Sequence, residues 1–307
     1  TDIAAGARAL GPRTRLTARE IGLLSALGRE TVPVRRPPRV GIISTGDELV
    51  RPGSDLDSSA GQIYDVNSYA LASSIEEAGG DPTLYPHVGD DYEEMERQIR
   101  QAATECDLVL SSGSTSASAV DVIYRVIEDS GELLLHVGEI DGTAYVGLPG
   151  YPVSALTIFR TFVAPAIRDA AGEDQPPTET VSGTMAVSER YEEGRRRLMP
   201  AGLVTDGAGE TLVYPVDKGS GATTSLVDAD GFVAVASGTN LLKEGERVEV
   251  QLFSPTVRPP TILGIGEDDP LLSRLLDRLD RPRYLPVGTD GGLRKLDAGV
   301  PDIAVVA

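Results

Sequence analysis

The chain is poor in the residues that most metal cages and covalent enzymes depend on. It has one cysteine and two histidines in 307 residues. The single Cys106 excludes an internal disulfide and a cysteine-based metal cage, which fits a cytoplasmic protein. With only His87 and His136, a multi-histidine zinc site is out of reach and histidine-centred nucleophile chemistry is disfavoured. Both histidines lie in predicted strands, where we expect structural roles.

Lysine is also scarce, and acidic residues dominate the charge. Only Lys218, Lys243 and Lys295 occur among 28 basic residues, against 47 acidic ones, and the net charge is −19. This surface argues against nucleic acid or an anionic membrane as a partner, because both are polyanions. Abundant carboxylates with little lysine are typical of proteins from salt-loving archaea, where salt screens charge repulsion. No apolar run is long enough for a membrane helix.

Alternating strand and helix patterns occupy the first half of the chain. They imply an α/β fold with a doubly wound, mostly parallel sheet. Short β-type runs between Gly, Asp and Ser turns then predict a small all-β domain, and a last strand–helix pattern predicts the start of a further α/β domain. The expected division is an N-terminal flank at 1–38, the α/β domain at 39–172, a small β-barrel domain at 173–258 and the further domain at 259–307. Since the chain begins at Thr1, without methionine, we expect a fragment of a longer protein.

Local signals predict where individual elements begin and end. A capping-box pattern at Thr17 predicts a helix that ends at Gly28. A second strand of the α/β domain is expected over Thr83–Val88. A long helix is expected from Val153 to about Ala171, with a kink at Pro165 because proline cannot donate a backbone hydrogen bond.

Acidic residues follow predicted strands or open predicted helices at three places. These are Glu48 with Asp47, Asp90 with Asp91, and Asp121. In a doubly wound sheet such points can converge at one crevice, at the carboxyl ends of the strands. Converging carboxylates suit Mg²⁺, which takes oxygen ligands and shares its waters with a phosphate or oxyanion. Each has a structural alternative: Asp91 as a helix cap, for example, or Asp121 as a first-turn acid favoured by the helix dipole.

Two turns before predicted helices could bind an anion or a ring. The hydroxyl-rich segment 111–116 follows a buried strand, so its backbone N–H groups and hydroxyls can meet a phosphate. The alternative is a flexible polar connection. In the turn 148–152, two prolines fix the backbone and Tyr151 can stack or donate a hydrogen bond. The alternative there is a rigid helix start.

Together these motifs resemble the MoeA/gephyrin family of molybdopterin molybdenumtransferases. Their order and approximate spacing match best over residues 39–172. The resemblance implies that adenylylated molybdopterin and molybdate give molybdenum cofactor and AMP with Mg²⁺, in a homodimer whose site lies between subunits. The matching motifs are Ser-Thr-Gly-Asp-Glu-Leu (44–49), Gly-Gln-Ile-Tyr-Asp-Val-Asn (61–67), Asp-Asp (90–91), Ser-Ser-Gly-Ser-Thr-Ser…Asp (111–121) and Leu-Pro-Gly-Tyr-Pro-Val-Ser (148–154).

The resemblance also implies roles for single residues. Glu48, Asp90 and Asp121 match the family's functional acids, which would act in catalysis, hold Mg²⁺ and help place molybdate. Residues 261–307 are similar to the start of a periplasmic-binding-protein-like domain of archaeal members, which we expect to sense a ligand. The remaining matches fall in the loop and the proline turn expected to contact pterin and phosphate: Ser112, Gly113, Ser114, Ser116, Pro149 and Pro152.

The chain departs from the family at several positions. Ser114 and Ser118 replace usual glycines, and Tyr151 replaces a usual asparagine. The family's Lys-Pro-Gly-Lys-Pro segment is absent between the strand ending at His136 and the strand that starts at Ala144. Either the chain has lost cationic phosphate ligands and is catalytically weak, or the printed sequence omits a loop after His136; we favour the second explanation.

Two other functions stay open on sequence alone. The first is a pterin- or oxyanion-binding sensor of the same fold, without turnover. The second is a scaffold that brings proteins of a cofactor pathway together. The sequence does not distinguish molybdate from tungstate, since both are tetrahedral dianions of similar size.

Overall fold

The computed structural model falls into two compact units, Thr1–Gln175 and Pro176–Ala307. In the part of the chain that it describes, no helix combines the length and the apolar character needed to cross a bilayer. The predicted helix at 120–128 lies outside the described residues. These are 3–4, 6–89, 91–113, 136–191, 196–205, 208–216, 224–254, 256–267, 269–297 and 299–306.

A five-stranded sheet forms the centre of the first unit. The strands of this unit are β1 (Arg39–Ser44), β2 (Leu49–Val50), β3 (Ile63–Tyr64), β4 (Asp81–Leu84), β5 (Leu108–Ser112), β6 (His136–Ile140) and β7 (Thr143–Leu148). The order in the sheet is β4-β1-β5-β7-β6, and β2 pairs separately with β3. All pairs in the sheet are parallel except β6–β7 at its edge. The predicted α/β fold with a mostly parallel sheet is therefore confirmed.

Helices cover both faces of this sheet. The helices of the first unit are α1 (Ala18–Ala26), α2 (Asn67–Glu77), α3 (Tyr92–Glu105), α4 (Pro152–Ile158) and α5 (Ala164–Ala171), of which α1 has no buried residue and belongs to the N-terminal flank. On one face, Leu71 and Ile75 of α2 pack with Ile42 of β1 in a buried cluster that α4 and α5 complete. On the other face, Met95 and Ile99 of α3 pack with β1, β5 and β7. Burial on both faces explains why β1 and β5 read as nearly continuous apolar runs.

The N-terminal flank carries the helix that its capping box predicts. The backbone N–H of Thr17 donates to the Glu20 carboxylate at 2.9 Å, and the Thr17 hydroxyl donates to the same group. This hydroxyl and the Thr17 N–H lower the pKa of Glu20. Further along, the Arg36 guanidinium contacts both carboxylate oxygens of Asp107, at 2.5 and 2.7 Å. That ion pair lowers the pKa of Asp107 and ties the proline-rich linker to the start of β5.

Two prolines move element boundaries away from the predicted ones. The strand expected over Thr83–Val88 ends at Leu84, because Pro86 has no N–H to donate to the ladder. His87 is therefore exposed in a loop, and its predicted position in a strand is wrong. The helix expected to kink at Pro165 instead passes through a π-helical turn at Phe159–Val163, just before α5.

The edge of the sheet is a tight hairpin. Asp141 and Gly142 connect β6 to β7, and both have positive φ, at 50° and 87°. That conformation matches the twist of a two-residue hairpin, for which Asp-Gly is a favoured sequence. His136 and Val137 are neighbours in β6, where they pair with Gly147 and Val146. The predicted strand before His136 lies outside the described residues, so both explanations of the missing lysine-containing segment remain.

The second unit begins with a closed β-barrel of order β10-β11-β8-β14-β12. Its apolar core includes Met199, Leu203, Val213 and Val250. Sequence patterns did not predict β10, because Pro200 within it weakens the strand signal. The elements are β8 (Thr180–Met185), β9 (Glu189–Arg190), β10 (Arg197–Thr205), β11 (Thr211–Pro215), α6 (Thr224–Asp228), β12 (Gly231–Val235), β13 (Leu241–Leu242) and β14 (Arg247–Leu252).

A small parallel sheet completes the second unit and confirms the predicted start of a further α/β fold. Its elements are β15 (Ile262–Gly266), α7 (Pro270–Leu276), β16 (Pro282–Pro286), α8 (Gly288–Asp297) and β17 (Ile303–Val305). The strands run in the order β16-β15-β17. One buried apolar cluster contains Tyr214 of the barrel together with Leu263 and Leu285 of this sheet. The barrel and the small sheet therefore share a core.

A buried ion pair also joins these two parts of the second unit. The Arg283 guanidinium contacts both carboxylate oxygens of Asp230, at 2.7 and 2.8 Å, and donates to the Tyr214 hydroxyl at 3.1 Å. Burial alone would lower the pKa of Arg283, but the hydrogen bonds to Asp230 and Tyr214 outweigh it and the pKa is raised. Asp230 also accepts from the backbone N–H of Leu203 at 2.7 Å.

Candidate active site

The turn after β1 is held by backbone hydrogen bonds to its two neighbouring segments. Thr45 N–H donates to the Ser112 carbonyl at the end of β5, at 2.9 Å, and Gly46 N–H donates to the Val88 carbonyl at 3.1 Å. Leu49 N–H closes the turn on the Gly46 carbonyl at 3.2 Å. These bonds position the segment 45–48 between the chain leading to Asp90 and the loop that follows β5.

Glu48 folds back over this turn and remains exposed. A Cβ atom on Gly46 would lie 2.7 Å from both carboxylate oxygens of Glu48, and Gly46 has a φ of 143°. Glycine adopts this backbone conformation without strain, whereas residues with a Cβ atom rarely do. The sequence Thr-Gly-Asp-Glu thus produces an exposed carboxylate at the carboxyl end of a central strand. One such group fits Mg²⁺, which binds to proteins through one or two carboxylates and retains several waters.

Asp47 faces the segment that leads to Asp90. A Cβ atom on Gly89 would lie 2.2 Å from Oδ1 of Asp47, so the two residues are in direct contact. Asp91 caps α3, with its carboxylate accepting from Glu94 N–H at 3.1 Å. This contact confirms the structural explanation offered for Asp91 from the sequence.

The three-acid magnesium site remains a prediction. Within the described ranges, no group of three or more His, Cys, Asp or Glu side chains is arranged to hold a metal ion. Of the three predicted acids, only Glu48 is described, and Asp90 and Asp121 lie outside these ranges. Ser114 and Ser116 of the predicted phosphate loop also lie outside them.

The loop after β5 packs directly against the turn after β1. Gly113 has a φ of 97°, and a Cβ atom there would lie 2.3 Å from the carbonyl oxygen of Thr45. Gly113 also touches the turn after β7, since a Cβ atom on Gly150 would lie 3.2 Å from the Cα of Gly113. The glycines allow three strand ends, those of β1, β5 and β7, to meet at one place.

The proline turn after β7 also lies at this meeting point of the three strand ends. Pro149 contributes its carbonyl oxygen, which accepts from the Ser112 hydroxyl at 3.2 Å. Pro152 is the first residue of α4, where a missing N–H costs nothing. Tyr151 is 63% exposed beside it. The turn is therefore a rigid helix start that also leaves an aromatic ring accessible to a ligand.

Asn67 lies at the same meeting point of strand ends, although no role was assigned to it from sequence patterns. It is the first residue of α2 and is only 8% exposed. Its Nδ2 donates to the Ser112 hydroxyl and to the Gly150 carbonyl, both at 2.7 Å. The only sequence signal was its position at the end of the motif at 61–67, which precedes the predicted helix.

A second set of buried hydrogen bonds, centred on the Asp65 carboxylate, holds the first turn of α2, in which Asn67 lies. Oδ1 of Asp65 accepts from Ser68 N–H at 3.0 Å and from the Ser44 hydroxyl at 3.3 Å. The hydroxyls of Ser44 and Ser68 lie 2.7 Å apart. These bonds fix the first turn of α2 against the end of β1, because buried polar groups that are paired hold one arrangement.

At the meeting point of the three parallel strand ends, one carboxylate is exposed and the backbones of the three turns lie close to each other. Such a crevice outside the carboxyl ends of the strands is where open α/β sheets bind ligands. Glycine at Gly113 and Gly150 lets the turns after β1, β5 and β7 pack backbone against backbone at this edge of the sheet. All three lysines of the chain lie at position 218 or beyond, so arginine is the permanently charged basic side chain of the first unit.

Comparison with known families gives two matches, one to the α/β sheet of the first unit and one to the β-barrel of the second. Residues 41–169 match the family described as "Probable molybdopterin binding domain". Residues 182–253 match "MoeA C-terminal region (domain IV)". The first match covers the parallel sheet with its helices, and the second covers the barrel.

Similar proteins carry both parts. Molybdopterin molybdenumtransferase 2 of Mycobacterium tuberculosis is 33% identical over 264 residues, which are 78% of this chain and 64% of that protein. Molybdopterin molybdenumtransferase 1 of the same organism is 30% identical over 275 residues, 82% of this chain and 63% of that protein. The chain thus spans less than two thirds of the length of these relatives.

A solved structure shares the fold at higher identity. The molybdopterin biosynthesis MoeA protein from Pyrococcus horikosii is 37% identical, with a TM-score of 0.64 over 79% of this chain and 61% of that chain. These similarities define a class of proteins that join an α/β domain of the molybdopterin-binding type to a β-barrel region. Within that class, the chain belongs to the MoeA family.

Proposed function

We propose that this protein is a molybdopterin molybdenumtransferase of molybdenum cofactor biosynthesis. It would insert molybdate into adenylylated molybdopterin and release AMP in a reaction that depends on Mg²⁺. The observation that carries the proposal is the meeting of Thr45, Gly113 and Gly150 at the ends of three parallel strands, with Glu48 exposed in the same turn as Thr45. The names of the similar Mycobacterium tuberculosis proteins support the same activity.

The acids Glu48, Asp90 and Asp121 are assigned to catalysis and metal binding in this proposal. They hold Mg²⁺ and orient molybdate towards the pterin. Bound Mg²⁺ would neutralise charge on the phosphate and oxyanion oxygens. The exposure of Glu48 suits this role, because its carboxylate can reach a hydrated ion without displacing a buried partner.

The loops opposite the acids are assigned to substrate binding. Backbone N–H groups that surround an anion stabilise charge without reorganising during the reaction. The close approach of Gly113 to Thr45 and Gly150 supports this assignment for the backbone of the loop. The proposed residues are Ser112, Gly113, Ser114, Ser116, Pro149 and Pro152.

The direct test is AMP release. The protein is incubated with adenylylated molybdopterin, Mg²⁺ and molybdate, and AMP is measured over time with a reaction lacking molybdate as the control. We expect release that depends on both molybdate and Mg²⁺. No release, with the substrate still bound, would remove the enzyme assignment. Repeating the reaction with tungstate would show which oxyanion is preferred.

A sensor without turnover is the second candidate. The observation that favours it is the absence of lysine from the first unit, which leaves phosphate without the cations of the family's Lys-Pro-Gly-Lys-Pro segment. The discriminating step is to determine the natural sequence between His136 and Val137. A lysine-containing insertion there supports the enzyme, whereas a continuous sequence with tight binding and no AMP release supports the sensor.

We further propose a cytoplasmic homodimer from a high-salt environment. The net charge of −19 supports the high-salt assignment, because screening is then needed to limit self-repulsion. Sedimentation at low and high salt tests both parts: a dimer that is more stable at high salt is expected, and a monomer under all conditions would contradict it. The periplasmic-binding-protein-like part is proposed to bind a small ligand.

A further inference from the structure

The side chain of Asn67 has an orientation that its partners fix. The Gly150 carbonyl can only accept a hydrogen bond, so the atom 2.7 Å from it must be the amide nitrogen. The same nitrogen lies 2.7 Å from the Ser112 hydroxyl oxygen. Both hydrogens of the amide are therefore committed, one to the end of β5 and one to the turn after β7.

The Ser112 hydroxyl extends this hydrogen-bond network from Asn67 to the proline turn. Its oxygen accepts from Asn67, and its single proton goes to the Pro149 carbonyl at 3.2 Å. A chain of hydrogen bonds thus runs from the first turn of α2 through β5 to the proline turn. Gly113 and Gly150, whose backbones touch, lie on either side of it.

Among the residues that the structure describes, the acceptor end of the same amide has no partner: Oδ1 of Asn67 is buried and makes no hydrogen bond to any of them. A buried acceptor left unpaired destabilises the fold, because the atom has lost its hydrogen bonds to water. An amide that carries this cost is a poor choice for stability alone, and costs of this kind are expected where a site must be held in one geometry.

We propose that Asn67 is a positioning residue that sets the spacing between the Gly113 loop and the Gly150 turn. Its amide keeps the two backbones in contact before the substrate arrives, so that the phosphate of an adenylylated pterin meets a preformed loop. This inference rests on the proposed function for the identity of the substrate. The contact between the loops does not depend on that function and can be measured without it.

The variant Asn67→Leu separates positioning from simple stability. Leucine has a similar size and removes the unpaired acceptor, but it leaves the Gly150 carbonyl without a donor. These two changes offset each other, so we expect the equilibrium constant of unfolding to change by about fivefold or less. A residue that served stability alone would lose clearly more.

The first measurement is hydrogen exchange of the segments around Gly113 and Gly150. We expect exchange in both segments to become at least about tenfold faster in Asn67→Leu, with α3 unchanged. Ser74→Ala is the matched control, since it removes the bond of the Ser74 hydroxyl to the Ala70 carbonyl, within α2, at 2.8 Å. Equal exchange at the two loops in wild type and Asn67→Leu would overturn the proposal.

The second measurement is turnover. Misplacing groups by about 1 Å can cost about 10²-fold in rate. We therefore expect kcat for AMP release to fall about 10- to 100-fold in Asn67→Leu, with KM changed less. An unchanged kcat together with faster loop exchange would overturn the positioning role. If wild type itself releases no AMP, the proposed function fails, and affinity for molybdopterin replaces kcat: weaker binding in Asn67→Leu supports the inference and equal binding overturns it.

A second variant covers the case in which leucine prevents folding. Asn67→Asp keeps the shape of the side chain, and its carboxyl can donate to the Gly150 carbonyl only when it is protonated. We expect loop protection, corrected for the intrinsic pH dependence of exchange, to increase as the pH is lowered through the pKa of this carboxyl. Protection that is independent of pH, and equal to that of wild type, would contradict the role of the amide donors.

Discussion

Gly113 shows how one residue without a side chain determines the shape of the site. Its φ of 97° lies in the left-handed region, and the carbonyl oxygen of Thr45 occupies the place where a Cβ atom would lie. The motif at 111–116 was expected to form a small, hydroxyl-rich turn that can meet an anion. The contact with Thr45 was not foreseeable, because it depends on the pairing of β1 with β5.

Gly113→Ala should therefore both destabilise the fold and weaken the site. The backbone conformation alone costs about 1–3 kcal/mol, and the clash with Thr45 adds to this because a backbone atom cannot move aside cheaply. We expect the free energy of unfolding to fall by more than it does in the control Gly142→Ala. Gly142 has a φ of 87° with open space around it, so that control isolates the conformational cost of about 1–2 kcal/mol. Equal losses in denaturant titrations would contradict the clash.

At the level of elements, periodicity predicted most helices and strands, and prolines account for the main differences. The apolar face of α2 and the caps of α1 and α3 follow from residue spacing. Strand β4 ends before Pro86, whereas β10 continues through Pro200, which is why sequence patterns did not predict β10. The effect of a proline on a strand depends on whether its missing N–H would point to a partner strand. That direction is fixed by the sheet and not by the local sequence.

Variants of Asp91 test whether this acid, next to the proposed site residue Asp90, serves only as the N-terminal cap of α3. Its carboxylate accepts from Glu94 N–H at the start of α3. Asp91→Ala should lower the free energy of unfolding by about 1 kcal/mol. Asp91→Asn keeps a capping oxygen and should be close to wild type in stability and in AMP release. A large loss of turnover in Asp91→Asn, with normal stability, would instead assign this acid to the chemistry.

At the level of the whole molecule, the second unit contains the contact that the sequence could least predict. Asp230 and Arg283 are far apart in the chain and belong to parts expected to be separate domains. Their buried pair and the shared apolar cluster join the barrel to the small parallel sheet. Neither residue forms a motif, and only the packing of two elements brings them together. The exposed position of Glu48 after β1, by contrast, was predictable, because the turn after a parallel strand lies at the carboxyl edge of the sheet, whereas Asp90 and Asp121 lie outside the described residues and stay predictions.

Arg283→Met should destabilise the second unit by about 3–5 kcal/mol, since it leaves the buried carboxylate of Asp230 without its counter-ion. The control is Arg281→Met, which removes an exposed pair with Asp280 at 3.4 Å and should cost about 1 kcal/mol or less. Adding Asp230→Asn to Arg283→Met should recover much of the loss, because the buried charge is gone and an acceptor for Leu203 N–H remains. Arg283→Met and Arg281→Met with equal melting temperatures would show that the pair does not hold the unit together.

The central claim is that the exposed carboxylate after β1 serves molybdate insertion. The most direct measurement compares AMP release by wild type, Glu48→Gln and Glu76→Gln, each with its free energy of unfolding. Glu76 is exposed on α2, so its variant removes one surface charge at a distance from the strand ends. We predict that Glu48→Gln lowers the rate about 10²-fold or more while stability stays within about 0.5 kcal/mol, and that Glu76→Gln turns over like wild type. Equal AMP release by Glu48→Gln and wild type would contradict the claim.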